Sequence, residues 1–154
     1  MDHQRFNGVR VLQLSDLEAI QYLEKKLLQE SQLEEVEIEM LSWNAKWRSE
    51  QLEHYLPLGW SMGVFDQKTL VGYFLAQPLL FFRGLTQNLW LEHMQAQSRE
   101  YRNVLAEVLV KTAKGKHFQT VVFSDLDEHN LKSFSEYKLN RAPDGVYQIK
   151  TANF

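Results

Sequence analysis

Apolar and polar residues alternate from Val9 to Leu14, with Val9 and Val11 set against Arg10 and Gln13, and this stretch reads as a short strand. The period then changes. Ser15-Asp16-Leu17-Glu18 has the composition of a capping box, in which the Ser15 hydroxyl takes an amide at a helix start while Glu18 reaches back. Leu17, Ile20, Leu23, Leu27 and Leu28 follow at helical spacing. A second helix is predicted from about Trp43 to Leu56, with Trp43, Trp47 and Leu52 turned inward and Pro57-Leu58-Gly59 stopping it. Trp60, Met62 and Val64 alternate as a strand, Asp66-Gln67-Lys68 forms a turn, and Leu70 to Gln77 is the next strand, so the pair predicts an antiparallel hairpin. Pro78 limits that strand's ladder or marks a bulge. Arg83-Gly84 forms a further turn before a strand from about Leu89 to Gln97.

In the second half, Tyr101, Val104, Leu105, Val108, Leu109 and Ala113 share one helical face, and Glu107 and Lys111 pair on the other side. Ser98 is the candidate N-cap and Gly115 a fitting stop. Thr120 to Phe123, β-branched and apolar, is a buried strand. A last helix, about His129 to Leu139, precedes a final strand, Val146 to Ile149. The order βα, α, βββ, α, β, α, β predicts an α/β (α+β) fold: about four helices flanking a mixed, largely antiparallel sheet.

At 154 residues with 44% apolar and 24% charged residues, the chain fits one domain over residues 1–154, with its core at about 9–150. A net charge of −3 and a pI near 6.0 give no basic face for nucleic acid. The acidic run Glu34, Glu35, Glu37 and Glu39 reads as a solvated helix end or loop, with attraction of a basic substrate as the alternative. The absence of cysteine removes thiol nucleophiles, zinc-thiolate sites and disulfides. Apolar runs such as Leu79 to Phe82 fall far short of the ~18 residues a membrane span needs, so no membrane partner is expected and a cytoplasmic setting is. That run either closes the core, the favoured reading, or forms an exposed patch for a partner subunit or an acyl chain. A homodimer therefore stays among the possible partners.

His3, His54, His117 and His129 lack metal-ligand spacing, and no metal site is expected. Gly59-Trp60-Ser61-Met62-Gly63 spells G-x-S-x-G, but a nucleophile elbow needs a strand before it and a helix after it. Here the predicted order is reversed, although Asp125 and His129 follow in the right chain order. The motif is read as coincidence.

The order of elements, and several local signatures within it, resembles the GNAT (GCN5-related) N-acetyltransferase superfamily over about residues 9 to 150. Val71-Gly72-Tyr73 resembles the hairpin entering the family's third strand, and Glu100-Tyr101-Arg102 the run that opens its cofactor segment. Leu105 to Ala113 resembles the helix after it, and Asn130, Phe134 and Tyr137 resemble the family's fourth-helix pattern. Leu139-Asn140 stands near the family's Leu-Gly, with Asn suited to a left-handed turn.

The resemblance implies transfer of an acetyl group from acetyl-CoA to a primary amine of a small molecule or protein. It implies Tyr137 as the acid for the leaving thiolate and Glu92 on the fourth strand as the base. His93 is the alternative base, because a register one residue off puts it on the opposite face from Glu92. Cofactor contacts are implied at Gln97, Ser98, Arg99, Arg102, Asn103 and Asn130. One departure stands out: where the family reads Arg/Gln-x-x-Gly-x-Gly/Ala, Arg102 is followed by Asn103-Val104-Leu105-Ala106-Glu107, without glycine. From Arg102 to the Val121 strand the chain is roughly five residues short, and the helix is expected to start near Ser98 with no loop before it. A backbone without glycine cannot approach a phosphate closely, so the alternative function is an inactive module of this fold that binds a ligand or partner.

Overall fold

The computed structural model describes residues 8–153; His3 lies outside them. One seven-stranded sheet runs in the order β1-β2-β3-β4-β5-β7-β6. Its strands are β1 (Val9–Val11), β2 (Met62–Asp66), β3 (Thr69–Phe82), β4 (Leu85–Ala96), β5 (Thr120–Phe123), β6 (Leu139–Arg141) and β7 (Tyr147–Lys150). Every adjacent pair is antiparallel except β4 and β5, which are parallel. Parallel neighbours need a crossover, and here the crossover is the helix α4 (Arg99–Gly115). It covers one face with Val104, Leu105, Val108 and Leu109 on Phe74, Leu91 and Val121. The other face carries α1 (Leu17–Glu30) and α3 (Ser49–Tyr55), whose Ile20, Leu23 and Leu52 pack on Tyr73 and Leu75. The remaining helices are α2 (Glu35–Trp43) and α5 (Glu128–Lys132).

The hairpins follow their turn chemistry. Gln67 and Lys68 between β2 and β3, and Arg83 and Gly84 between β3 and β4, all take positive φ, as a two-residue hairpin turn requires. Gly59, at φ +83, ends the turn that closes α3. Gly72 answers a different need. A Cβ there would lie 2.9 Å from Ala96 Cβ and 3.2 Å from Leu105 Cδ1, so the close approach of β3 to β4 and α4 depends on its missing side chain.

Several expectations are corrected. The Ser15–Glu18 box does not form. A short 3-10 turn starts earlier, Asp16 is the N-cap of α1, and the Asp16 carboxylate takes the Gln13 amide (2.8 Å) and the Arg10 guanidinium (2.9 Å). Of the span predicted as one helix, Trp43 to Leu56, only Ser49–Tyr55 is an α-helix; Trp43 is the last residue of a separate helix that begins at Glu35, and the chain turns at Asn44 between them. Trp47 is buried, but Trp43 ends α2 and is exposed. The acidic run supplies the N-cap and first turns of α2, where carboxylates face the helix's positive end. Helix α4 runs through Gly115, and His117 rather than the glycine takes the left-handed residue.

The helix predicted to reach Leu139 stops at Lys132. Phe134, Ser135 and Tyr137 then wind on through amide bonds to the carbonyls three residues back, a tighter coil than α. Leu139 and Asn140 lie in β6 rather than in a left-handed turn. Leu79 to Phe82 does not close the core: Leu80 and Phe81 are exposed, because β3 and β4 run past their outer neighbours as a two-stranded arm. Pro78 belongs to that arm. The Ala76 amide points to the outer edge, where Ser61 Oγ takes it at 3.1 Å. By the period of two, Pro78 faces the same edge and has no amide to offer a stray strand. Ser61 itself is fully buried just before β2, with no strand before it and no helix after it, so no nucleophile elbow exists. Among the described residues, no helix is long and apolar enough to cross a membrane.

Candidate functional site

The site is built around a fork in the sheet. On β3 and β4, Leu75 opposes His93 while Ala76 opposes Leu91, so Glu92 is an extra residue on β4. Such a bulge bends its strand and leaves one residue unpaired. The consequence shows on the other edge of β4. Pairing with β5 runs through Asn88, Leu89 and Trp90 and ends there, while β4 continues to Ala96. Beyond that point the Met94 carbonyl is taken by Asn130 Nδ2 of α5, at 2.8 Å, instead of by a strand.

The bulge also resolves the facing of the two base candidates. An unbroken strand would put Glu92 and His93 on opposite faces. With the extra residue, both turn to the side of α1 and α3: Glu92 Oε1 takes Trp90 Nε1 at 2.9 Å, and His93 Nε2 meets Glu24 Oε2 of α1 at 2.7 Å. The expectation that only one of them could face that way is thereby corrected.

On the α4 side of the fork lies a cavity of about 550 Å³ between α4 and the coil after α5. Arg99, Asn103, Ser133 and Tyr137 line it, with the cations Lys111, Lys114 and Lys132 and the anions Glu107 and Glu136. Burial, then the charges of Glu107 and Glu136, raise the Tyr137 phenol above its ordinary value. Ser133 Oγ, in a residue of the cavity wall, is buried without a hydrogen-bond partner, as are Asn130 Oδ1 at the fork and Gln51 Oε1 on α3. Buried polar groups are rarely left so.

The start of α4 confirms that no loop precedes it. Only Gln97 and Ser98 separate β4 from Arg99. Ser98 is the N-cap: its hydroxyl takes the Tyr101 amide at 3.3 Å and its carbonyl the Arg102 amide at 3.1 Å. Arg102 turns back to the Ala96 carbonyl (3.2 Å), and the Gln97 amide bonds Val71. Of the six residues implied as cofactor contacts, the cavity gathers Arg99 and Asn103. Asn130 stands at the fork, and Gln97, Ser98 and Arg102 are engaged in joining β4 to α4.

The opposite side of the fork is filled. Glu24 is buried in α1 and takes the Tyr73 hydroxyl (2.5 Å) and Gln95 Nε2 (3.4 Å) in addition to His93. Burial and the Glu24 charge push the Tyr73 phenol well up, so it stays a donor. Beside Glu92, Tyr55 is pushed up to about 12, by burial first and by Glu92 second. Lys46, in the link between α2 and α3, reaches the Glu92 carbonyl at 3.1 Å and both the carbonyl and carboxylate of Asp125 at 3.3 Å. Sequence reasoning missed Glu24, although a signal existed. It stands one turn beyond Ile20 and beside Leu23 on the apolar stripe of α1, and an acid at a core position asks for buried donors. Lys46 and Ser133 carried no such mark.

No protein-family model and no curated protein matches the chain. Solved structures do. A PaiA N-acetyltransferase from Thermoplasma acidophilum, in complex with coenzyme A, superposes with TM-score 0.63 at 16% identity, over 92% of this chain and 97% of that one. A GNAT-family acetyltransferase from Listeria monocytogenes gives TM-score 0.59 at 13% identity, over 92% and 91%. A polyamine N-acetyltransferase from Drosophila melanogaster gives 0.58 at 11% identity, over 92% and 97%. The chain has the GNAT fold.

Proposed function

We propose that the chain is an N-acyltransferase that moves an acetyl group from acetyl-CoA to a primary amine. The observation that carries this reading is the end of β4–β5 pairing beside the bulge at Glu92, with a cavity on one side and the Glu24–His93 pair on the other. The diphosphate end has no glycine loop to lie on. Arg99 and Lys132 in the cavity wall offer side-chain charge in its place. Acetyl-CoA supplies the acyl group activated as a thioester.

The residues supply proton handling. Glu24 holds His93 by Nε2, which leaves Nδ1 as the ring nitrogen that can accept a proton from the acceptor's ammonium. Tyr73 and Gln95 hold Glu24 in turn. Glu92, fixed by Trp90, adds a carboxylate on the same face. The raised Tyr137 phenol stays protonated at neutral pH and can give its proton to the departing thiolate.

The test is thiol release from acetyl-CoA in the presence of a panel of primary amines, with product mass measured. Acetylated amine is the expected result. A thermal-shift titration separates the rival, a binding module without turnover: acetyl-CoA raising Tm with no thiol release would favour that rival.

A further inference from the structure

Lys46 places a primary ammonium at the fork itself. Three oxygens surround its Nζ: the Glu92 carbonyl at 3.1 Å, the Asp125 carbonyl at 3.3 Å and Asp125 Oδ2 at 3.3 Å. An alkylammonium has three N–H donors, so donors and acceptors match in number. The cradle owes its existence to the fork. Glu92 is the residue that the bulge leaves without a partner on β3, and Asp125 follows the end of β5. The hold is open on one side, since the Asp125 side chain is 82% exposed and that of Lys46 28%. A pair this exposed contributes little, and a competing ammonium can displace it.

We propose that this three-oxygen cradle is the binding site for the acceptor's ammonium, and that Lys46 is its internal occupant, which swings out when an acceptor arrives. The proposal rests on the acyltransferase reading and adds where the acceptor's ammonium is held and which side chain it displaces. Tertiary and quaternary amines cannot offer three N–H groups. In the transfer, the cradled ammonium gives one proton to the base on this face, and its nitrogen bonds to the thioester carbonyl carbon. The carbon–sulfur bond breaks, the nitrogen gives up its second surplus proton, and the thiolate takes one proton, so that one proton is taken up as thiol and one stays with the base for release to water.

Lys46→Ala empties the cradle, and n-butylammonium and tetramethylammonium serve as probes. At about ten times the variant's Kd, n-butylammonium should raise the Tm of the variant by roughly 3–5 °C, move the wild type by only about 1 °C and have a clearly smaller effect in the Lys46→Ala/Asp125→Asn pair. With acetyl-CoA present, Lys46→Ala should lower KM for n-butylamine about tenfold at unchanged kcat, a difference of one RT ln 10. Should Lys46→Ala fold poorly, Lys46→Met keeps the apolar stem and should show the same fall in KM. An equal shift by tetramethylammonium, or no shift by either probe, overturns the proposal. Turnover with a KM that neither Lys46→Ala nor Asp125→Asn alters also overturns it, while leaving the acyltransferase reading standing. A selective n-butylammonium shift without any turnover does the reverse: it supports the ammonium site and removes the enzyme.

Discussion

The two sides of the fork between β4 and β5 are built to opposite plans. Toward α4 there is open volume, a wall of long cationic side chains and two buried oxygens without partners. Toward α1 and α3 there is close packing, and the charged groups at the fork are held: Glu24 by three donors, Glu92 by Trp90, Lys46 by three oxygens, although Gln51 Oε1 of α3 is also buried without a partner. β4 carries one extra residue close to where its pairing with the short β5 ends, and that bulge turns Glu92 and His93 to one face. On the proposed acyltransferase reading, the open side receives the large ligand and the packed side holds the proton acceptor in a fixed orientation. On the same reading, a phosphate site without glycine would rest on side chains. Ser98 already caps the start of α4, so charge is offered from the cavity wall and not from bare amides.

The sharpest break between the two sides should come from the proton acceptor. His93→Gln should lower kcat by roughly 10²- to 10⁴-fold while leaving acetyl-CoA affinity unchanged in calorimetry. Equal losses of kcat and affinity would mean that the two sides are not separable. On the cavity side, Arg99→Ala with Lys132→Ala should weaken acetyl-CoA binding about 10- to 100-fold, the value of lost hydrogen bonds between charged partners, with kcat at saturation kept. Gly72→Ala tests the frame beneath both. Forcing a Cβ against Ala96 and Leu105 should cost about 1–3 kcal/mol and lower Tm by roughly 3–10 °C, read by calorimetric melting. The smallest effect lies far from the fork. The Arg10 hydrogen bonds, helped by the Gln13 amide and Arg10 charge and opposed by burial, hold the Asp16 carboxyl below its ordinary 3.8. A lowered folded-state value stabilises above the unfolded value and is lost as pH falls through the lowered one. Asp16→Asn should therefore reduce stability at neutral pH and remove one contribution to its decline below about pH 4, measured as Tm against pH.

Local periodicity made most of the fold legible. The stripe from Tyr101 to Ala113, the turns at Asp66-Gln67-Lys68 and Arg83-Gly84, and the missing loop before α4 all stand where the pattern puts them. What failed depended on partners distant in sequence. Trp43 and Trp47 look alike in a helical pattern, and only the break at Asn44 buries one and exposes the other. Leu80 and Phe81 read as core because nothing local says that β3 and β4 outrun their neighbours. The bulge at Glu92 exists only in the register against β3, so the facing of Glu92 and His93 could not be counted from the sequence. Asn130, Tyr137 and Arg99 were reachable through resemblance, whereas the Glu24–His93 pair spans 69 residues and left only one trace, an acid on an apolar stripe.

The central claim is that the cavity beside α4 holds acetyl-CoA through charged side chains instead of a glycine loop. Calorimetric titration of the wild-type chain with acetyl-CoA, repeated from about 0.01 M to about 1 M salt as the screening length shrinks from ~30 Å to ~3 Å, tests it directly. Binding that weakens steadily with salt is the predicted result. No binding at millimolar acetyl-CoA in low salt, or an affinity indifferent to salt, would contradict it.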